Sequence, residues 1–173
     1  MNIFVLEIWD DEGWACTFYT VRNDDTQISE TDSFFVKYHA MPQYTDATRE
    51  LLSFVLDAIG EEHGAVEELF NRNENEVIGL PVQGRVTVKQ IMFHYPGFPL
   101  RLYALKITDG IVVLFNGGIK DGATNQKSSL HMHWRAACEY AKRIIDAINN
   151  GTVIVNVAER TLENYDGSEE IIL

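Results

Sequence analysis

The sequence predicts an α+β fold in which a twisted antiparallel sheet packs with an N-terminal helical hairpin and a long C-terminal helix, plus an added N-terminal β-hairpin. The opening residues are rich in aromatic and β-branched side chains, and two stretches with helical apolar spacing lie on either side of a β-rich centre. Of the 173 residues, 46% are hydrophobic and 23% are charged, which excludes a disordered or fibrous chain. We expect a single domain.

The N-terminal segment predicts the added β-hairpin. Residues 3–19 are rich in Phe, Val, Ile, Trp and Tyr, and the polar residues 10–13 form the turn between the two strands. Trp9 and Trp14 flank this turn and are expected to cover one face of the sheet. The apolar block at residues 34–38 fits a strand or a helix, and its periodicity does not separate the two.

An acidic helical hairpin is predicted next. A first helix begins near Asp46, carries one apolar stripe and ends at Gly60, a residue type that suits the left-handed position after a helix. The stripe consists of Leu51, Leu52, Val55, Leu56 and Ile59. A second, shorter helix is expected over residues 65–71, with Glu67 and Glu68 facing outward.

Three strands are predicted after this hairpin, over residues 86–95, 100–107 and 111–115. Thr108-Asp109-Gly110 is a strong hairpin signal, because glycine supplies the positive φ that a tight turn requires. The three strands should therefore form an antiparallel meander. Residues 116–118, Asn-Gly-Gly, are expected to end the third strand in a flexible turn.

The C-terminal third of the core predicts a long helix from Leu130 to Ile148, with apolar residues on one stripe and charged residues elsewhere. Asn149-Asn150-Gly151 stops this helix. Residues 152–157 indicate one more strand, and the chain finishes with a short apolar segment at residues 171–173.

The cellular location is predicted from what the sequence lacks. The N-terminus has no basic region of the kind that opens a signal peptide, and no apolar stretch is long enough for a membrane span. Cys16 and Cys138 are two isolated cysteines, which do not make a disulfide framework. We expect a cytoplasmic protein that does not bind a membrane.

The net charge of −12 argues against an ordinary nucleic-acid-binding protein, but the charge is unevenly distributed. Residues 1–80 carry 17 acidic and 4 basic side chains, whereas residues 81–150 carry 4 acidic and 9 basic ones. A basic central segment between acidic ones indicates a surface for a polyanion that the remainder partly masks. The alternative is a solvated acidic helical face beside an ordinary sheet.

Most catalytic signatures are absent from the sequence, including phosphate-binding loops, dinucleotide-binding turns, zinc-spaced cysteines and nucleophile elbows. His131 and His133 lie two residues apart on a predicted helix and therefore point to different faces, so neither a metal nor another cofactor is expected. The carboxylates are concentrated on outer helical faces, which indicates solvation more than acid–base chemistry.

The basic residues of the predicted sheet are the candidate site. A cation can stabilise charge developing on an RNA phosphate while a neighbouring side chain activates the 2′-hydroxyl, without any metal. The candidates on or beside the meander are Arg85, Lys89, Arg101, Lys106 and Lys120. Tyr95 and Tyr103 are candidates for stacking on bases. The alternative is that these cations only keep exposed strands soluble.

The order of motifs resembles the RelE/HigB/ParE toxin superfamily, especially its phage-type branch. The motifs are Leu-Pro at residues 80–81, Gly-Arg-Val-x-Val at 84–88, Pro-Leu-Arg-Leu-Tyr at 99–103 and Asp-Gly-Ile-Val-Val-Leu-Phe-Asn-Gly-Gly-Ile-Lys at 109–120, followed by a long helix. This resemblance divides the domain into a β-rich addition at residues 1–44, a RelE-like core at 45–150, and a strand and tail at 151–173.

The resemblance implies the toxin of a toxin–antitoxin pair that cleaves messenger RNA on the ribosome and is neutralised by a helix-turn-helix antitoxin. By position, Arg101 resembles the arginine placed on the scissile phosphate, and Lys120 resembles the base in the Gly-Gly-x-Lys turn. Arg85 and Lys89 match the basic positions of the first strand and, with Tyr103, would bind substrate.

A second hypothesis is a non-catalytic interaction protein on the same fold, whose acidic face binds a protein partner. The two hypotheses predict different arrangements of the cations. A nuclease requires Arg85, Lys89, Arg101 and Lys120 in one concave patch. Cations that are dispersed, or paired with carboxylates from residues 1–80, favour the interaction protein.

Overall fold

A seven-stranded sheet lies between two helical layers in the computed structural model, which describes residues 2–173. Met1, part of the predicted N-terminal segment, lies outside the described residues. The strands are β1 (Phe4–Asp10), β2 (Thr17–Asn23), β3 (Asn73–Glu74), β4 (Val77–Leu80), β5 (Arg85–Val88), β6 (Ile91–His94), β7 (Leu100–Thr108), β8 (Ile111–Ile119), β9 (Val153–Asn156), β10 (Thr161–Asn164) and β11 (Ile171–Ile172). The helices are α1 (Glu30–His39), α2 (Thr45–Ser53) and α3 (Thr124–Asn149). A π-helix (Phe54–His63) directly continues α2.

The main sheet has the order β11-β1-β2-β8-β7-β4-β3, and two separate hairpins are formed by β5 with β6 and by β9 with β10. The predicted α+β class is confirmed. The sheet is mixed where the sequence predicted a wholly antiparallel one, because β2 and β8 run parallel, with Thr17 opposite Ile111. A parallel pair requires a long crossover connection, and here the chain between the two strands passes through the helices.

The predicted N-terminal hairpin is formed by β1 and β2, in antiparallel register from Phe4 opposite Asn23 to Asp10 opposite Phe18. These strands lie inside the main sheet, with β8 beside β2 and β11 beside β1. Strand β2, from the predicted addition at residues 1–44, therefore pairs with β8 of the predicted core at residues 45–150.

One face of the sheet is covered by α1, α2 and the π-helix. The ambiguous block at residues 34–38 belongs to α1, which begins where Ser29 Oγ accepts a hydrogen bond from the Asp32 amide at 3.1 Å. Buried Thr31 ties α1 to the sheet by donating to the Leu114 carbonyl at 3.0 Å. This anchor uses a polar contact between distant residues, so helical periodicity alone did not indicate it.

The helix predicted from Asp46 is present but continues past Gly60 to His63. It ends at Gly64, whose φ of 74° is the left-handed conformation that glycine favours. The second predicted helix, over residues 65–71, is wrong: only the 3₁₀ turn Glu67–Leu69 forms there. The helical hairpin consists of α1 and the α2–π helix instead.

The predicted three-stranded meander is wrong in its first strand. Residues 86–95 do not join the main sheet, because Lys89 and Gln90 have positive φ angles of 48° and 70° and turn the chain back into the β5–β6 hairpin. Strand β4 pairs with β7 at the position predicted for residues 86–95. The β7–β8 pair is antiparallel as predicted, and β8 continues through Gly117 and Gly118, so no flexible turn begins at residue 116.

The other face of the sheet is covered by α3 and the β9–β10 hairpin. The predicted C-terminal helix is confirmed and begins six residues earlier, at Thr124. Buried Cys138 and Ala141 of α3 pack with sheet residues such as Tyr103 and Phe115. Within residues 2–173, no helix is long and apolar enough to cross a lipid bilayer.

Candidate functional site

Arg101, the predicted phosphate-binding residue, is held in an ion pair. It lies on β7, and its Nη1 donates to Glu74 Oε1 at 2.9 Å. The two side chains are 13% and 25% exposed, so water screens the pair only partly. The side chain that would meet a phosphate is therefore already paired with a carboxylate from the acidic N-terminal half of the chain.

A second arginine joins this pair and completes what we call the Glu74 cluster, Arg72, Glu74 and Arg101. All three side chains meet above Gly79: a Cβ there would lie 2.8 Å from Arg72 Cδ and 3.0 Å from Arg101 Cδ. Burial, and then the nearby Arg101, lower the pKa of Arg72. Glycine at position 79 makes room for the cluster.

The α3 helix closes over the Glu74 cluster. Trp134 Nε1 donates to the Glu74 carbonyl at 3.1 Å, so the helix is fixed to the short edge strand that carries the carboxylate. Tyr103 lies beneath, 3% exposed, and burial raises its pKa well above the usual range. A ring buried in this way offers no surface on which a base could stack.

Lys120, the predicted base, is tied to the end of the β7–β8 ladder. Its backbone N–H donates to the Pro99 carbonyl at 2.7 Å, and its Nζ lies 4.0 Å from Asp121 Oδ2. The residue opposite Arg101 on β8 is Gly118, and Leu130 of α3 lies above this glycine. Apolar Leu130 therefore lies over the part of the ladder where Arg101 is paired.

Arg85 and Lys89 lie elsewhere, on the exposed β5–β6 hairpin. Val88 and Phe93 of this hairpin pack into the core beneath α2 and the π-helix, whereas Tyr103 packs into the core beneath α3. Four of the five predicted site residues, Arg85 and Lys89 on one side and Arg101 and Tyr103 on the other, are thus divided between the two faces of the sheet. Arg101 and Tyr103 lie near each other, whereas Arg85 and Lys89 lie away from both.

The two histidines near the start of α3 have different surroundings. The ring of His131 lies tilted against that of Trp134, with centroids 5.3 Å apart, and burial lowers the pKa of His133. Within residues 2–173, no three His, Cys, Asp or Glu side chains come together in a way that could hold a metal ion.

The structure assembles a different surface, which we call the acidic ridge: the exposed carboxylates along α2 and the π-helix. Its members are Asp46, Glu50, Asp57, Glu61 and Glu62. Arg49 lies 3.9 Å from Asp46, while Glu50, Asp57, Glu61 and Glu62 make no ion pair with any described residue. The ridge therefore presents several uncompensated negative charges.

Apolar side chains lie beside the acidic ridge. Phe54 of the π-helix contacts the rings of Phe93 and Tyr95, which fixes the β5–β6 hairpin against the helix. On the same hairpin, Ile91 and Met92 are 50% and 60% exposed. A shallow depression of about 490 Å³ lies between helix and hairpin, lined by Glu50, Ser53, His94, Tyr95, Pro96 and Phe98. The sequence predicts the acidic helix but not the hairpin beside it, because residues 86–95 have the pattern of one continuous strand.

Comparison of the chain with protein-family models, with curated proteins and with solved structures gives no match.

Proposed function

We propose that this chain is a non-catalytic protein-interaction module that binds a basic partner through the acidic ridge and the exposed apolar side chains Ile91 and Met92 of the β5–β6 hairpin. The observation that carries the proposal is Glu50, which makes no ion pair and lines a depression with His94 and Tyr95, next to the hairpin on which Ile91 and Met92 are exposed. Protein interfaces combine apolar anchors with a charged rim that steers the partner. A lysine- or arginine-rich segment with apolar anchors fits this surface.

The positions of the basic residues support the same proposal. A nuclease that relies on cations needs them together around one phosphate. Here Arg101 is paired with Glu74, and Arg85 and Lys89 lie with the other core. With a net charge of −12, the chain as a whole repels a polyanion and attracts a polycation.

Charge reversal on the ridge should weaken binding of a basic probe. The probe is a fluorescein-labelled amphipathic helical peptide with lysine on one face and leucine on the other, titrated by fluorescence anisotropy. The double variant Glu50→Lys/Asp57→Lys should raise the Kd about tenfold or more, because each reversal replaces attraction with repulsion at the contact. The loss should shrink at high salt.

The matched control is Glu139→Lys/Glu159→Lys, which changes net charge equally on exposed positions away from the ridge. It should change the Kd by less than about threefold, since distant charges are screened. Equal losses in the two double variants would mean that net charge alone attracts the peptide, and the ridge would then not be the binding surface.

A second candidate function is a RelE/HigB-like toxin, neutralised by a helix-turn-helix antitoxin and cleaving messenger RNA on the ribosome. The order of elements supports it: two helical segments precede β4, β7 and β8, and a long helix follows. For either function we propose a cytoplasmic location, supported by two free cysteines that are both buried.

Induced expression separates the two functions. If the chain is an interaction module, cells producing soluble protein should grow normally and keep intact messenger RNA. Growth arrest with transcript cleavage would overturn the module, provided that Lys120→Ala relieves it and the exposed Lys127→Ala does not. Arg101→Ala should be scored only with its soluble yield, because the change also leaves Glu74 without its partner.

A further inference from the structure

Strand β1 has a free edge over part of its length. Strand β11 and the adjoining Leu173 pair with it only from Phe4 to Leu6, while β1 continues to Asp10. Among the described residues, no strand pairs with residues 7–10 on that side. We call these four residues the β1 edge. At about 3.3 Å per residue, the edge is about 13 Å long.

The backbone of Ile8 is oriented for a further strand. The Phe4 amide donates to the Leu173 carbonyl and the Leu173 amide donates to the Phe4 carbonyl, each at 2.9 Å, so Phe4 bonds outward, away from β2. Outward and inward bonding alternate along a strand, which turns Leu6 and then Ile8 to the same side. The N–H and C=O of Ile8 therefore point to the free edge.

A cleft lies along this edge. Residues 169–170, which precede Ile171, lie away from β1. The Asn164 side-chain amide holds this segment in place by donating to the Glu170 carbonyl at 2.5 Å. The space between the edge and residues 169–170 measures about 500 Å³. Ile8, Tyr19 and Leu162 line it, and the Ile8 side chain is 47% exposed. The cleft thus offers apolar contacts next to free backbone groups.

The charge around the cleft is negative. Glu169 and Glu170 are exposed at its rim and make no ion pair within residues 2–173, whereas Glu7 is paired with Arg22 at 3.1 Å. A second copy of this chain would bring two acidic edges together, which is unfavourable for directly opposed strands. Charge complementarity therefore selects a basic occupant and disfavours self-pairing.

We propose that the β1 edge accepts an extended peptide with lysine or arginine alternating with β-branched apolar residues, which adds to the sheet in line with β11. Backbone hydrogen bonds to Ile8 supply affinity, and the apolar side chains enter the cleft over Leu162, the general mode of strand addition. The basic side chains meet Glu169 and Glu170. This site is separate from the acidic ridge and does not rest on it.

Two labelled peptides test the strand addition by fluorescence anisotropy. The first alternates lysine and valine over nine residues, and the second has the same sequence and charge but carries N-methyl groups on alternate residues. The unmodified peptide should bind the wild-type chain, and N-methylation should weaken binding about tenfold or more, because it removes the backbone donors. Equal binding of both peptides, or no binding by the unmodified one, would overturn the proposal.

Variants of the protein locate the site. Exposed Glu169→Lys/Glu170→Lys should weaken binding of the alternating peptide about tenfold, and Glu50→Lys/Asp57→Lys should leave it within about twofold. The reverse result would assign the peptide to the acidic ridge and contradict the β1 edge. Since the helical and the extended probes depend on different carboxylates, either site can fail alone.

Discussion

Gly117→Ala is expected to destabilise the chain by about 3 kcal/mol, because two backbones meet there without room for a methyl group. A Cβ at residue 117 would overlap the Arg101 carbonyl oxygen and lie 2.8 Å from its carbon. Leu102, the residue opposite on β7, would be approached at 3.0 Å from its Cα. Backbone atoms in a buried ladder cannot rotate away, so the strands themselves must move.

Gly118→Ala is the matched control for this effect. A Cβ at residue 118 would meet the Leu130 side chain at 3.3 Å, and a leucine can adjust its rotamer. The cost should be about 1 kcal/mol or less. Denaturant unfolding followed by tryptophan fluorescence gives both values. Similar midpoints for the two variants would show that the close approach at Gly117 is not what constrains the ladder.

Glu74→Ala should lower the free energy of unfolding by about 2 to 3 kcal/mol, because it leaves Arg101 largely buried beside Arg72 without a counter-charge. Removing one partner of a fully buried pair costs about 3–5 kcal/mol, and the 25% exposure of Glu74 reduces this. Glu76→Ala is the control. The ion-pair partner of Glu76 is Lys142, which lies 3.5 Å away and is 64% exposed, so this variant should lose clearly less stability.

A double-mutant cycle separates the ion pair from the packing around it. Glu74→Gln/Arg101→Met removes both charges of the pair and keeps similar volume, so it should lose less stability than the Glu74→Gln and Arg101→Met single variants taken together. Urea unfolding of the four proteins in the cycle measures the coupling. A coupling near zero would mean that Arg101 and Glu74 are independent, and Arg101 would again be available for a phosphate.

Elements with strong local patterns were predictable from the sequence. The turn at residues 10–13 between strand-forming residues located the first hairpin, and the apolar spacing from residue 130 onward located α3. Asp109-Gly110 located the β7–β8 turn for the same reason. In each case the residues that predict the element also form it, and they lie close together in the sequence.

The β5–β6 hairpin was missed because its turn carries no recognisable signal. Tight turns with two positive φ angles normally use Asn-Gly or Asp-Gly, and here they use Lys89 and Gln90. The uninterrupted β-rich run over residues 86–95 therefore predicts one strand, whereas the structure forms two. The exposure of Ile91 and Met92 and the depression between the hairpin and the acidic ridge depend on this turn, so that surface was not predictable either.

The candidate site was only partly predictable, because its decisive contacts join distant parts of the chain. The sequence identified Arg101 as unusual, but nothing local indicates that Glu74 would reach it. The division of the basic residues between two faces likewise follows from the excursion of residues 85–94 out of the sheet. Periodicity specifies which way a side chain points within its own element, and not which distant group it meets.

The parallel pair at the centre of the sheet has a consequence for how the chain acquires its structure. Residues 17–20 find their partners only when residues 111–114 are available, so the central pairing closes a very long loop. Contacts this far apart in sequence slow the folding of a domain. During synthesis, the apolar side chains of the first hairpin remain exposed until β8 leaves the ribosome. We therefore expect chaperones to bind nascent chains of intermediate length.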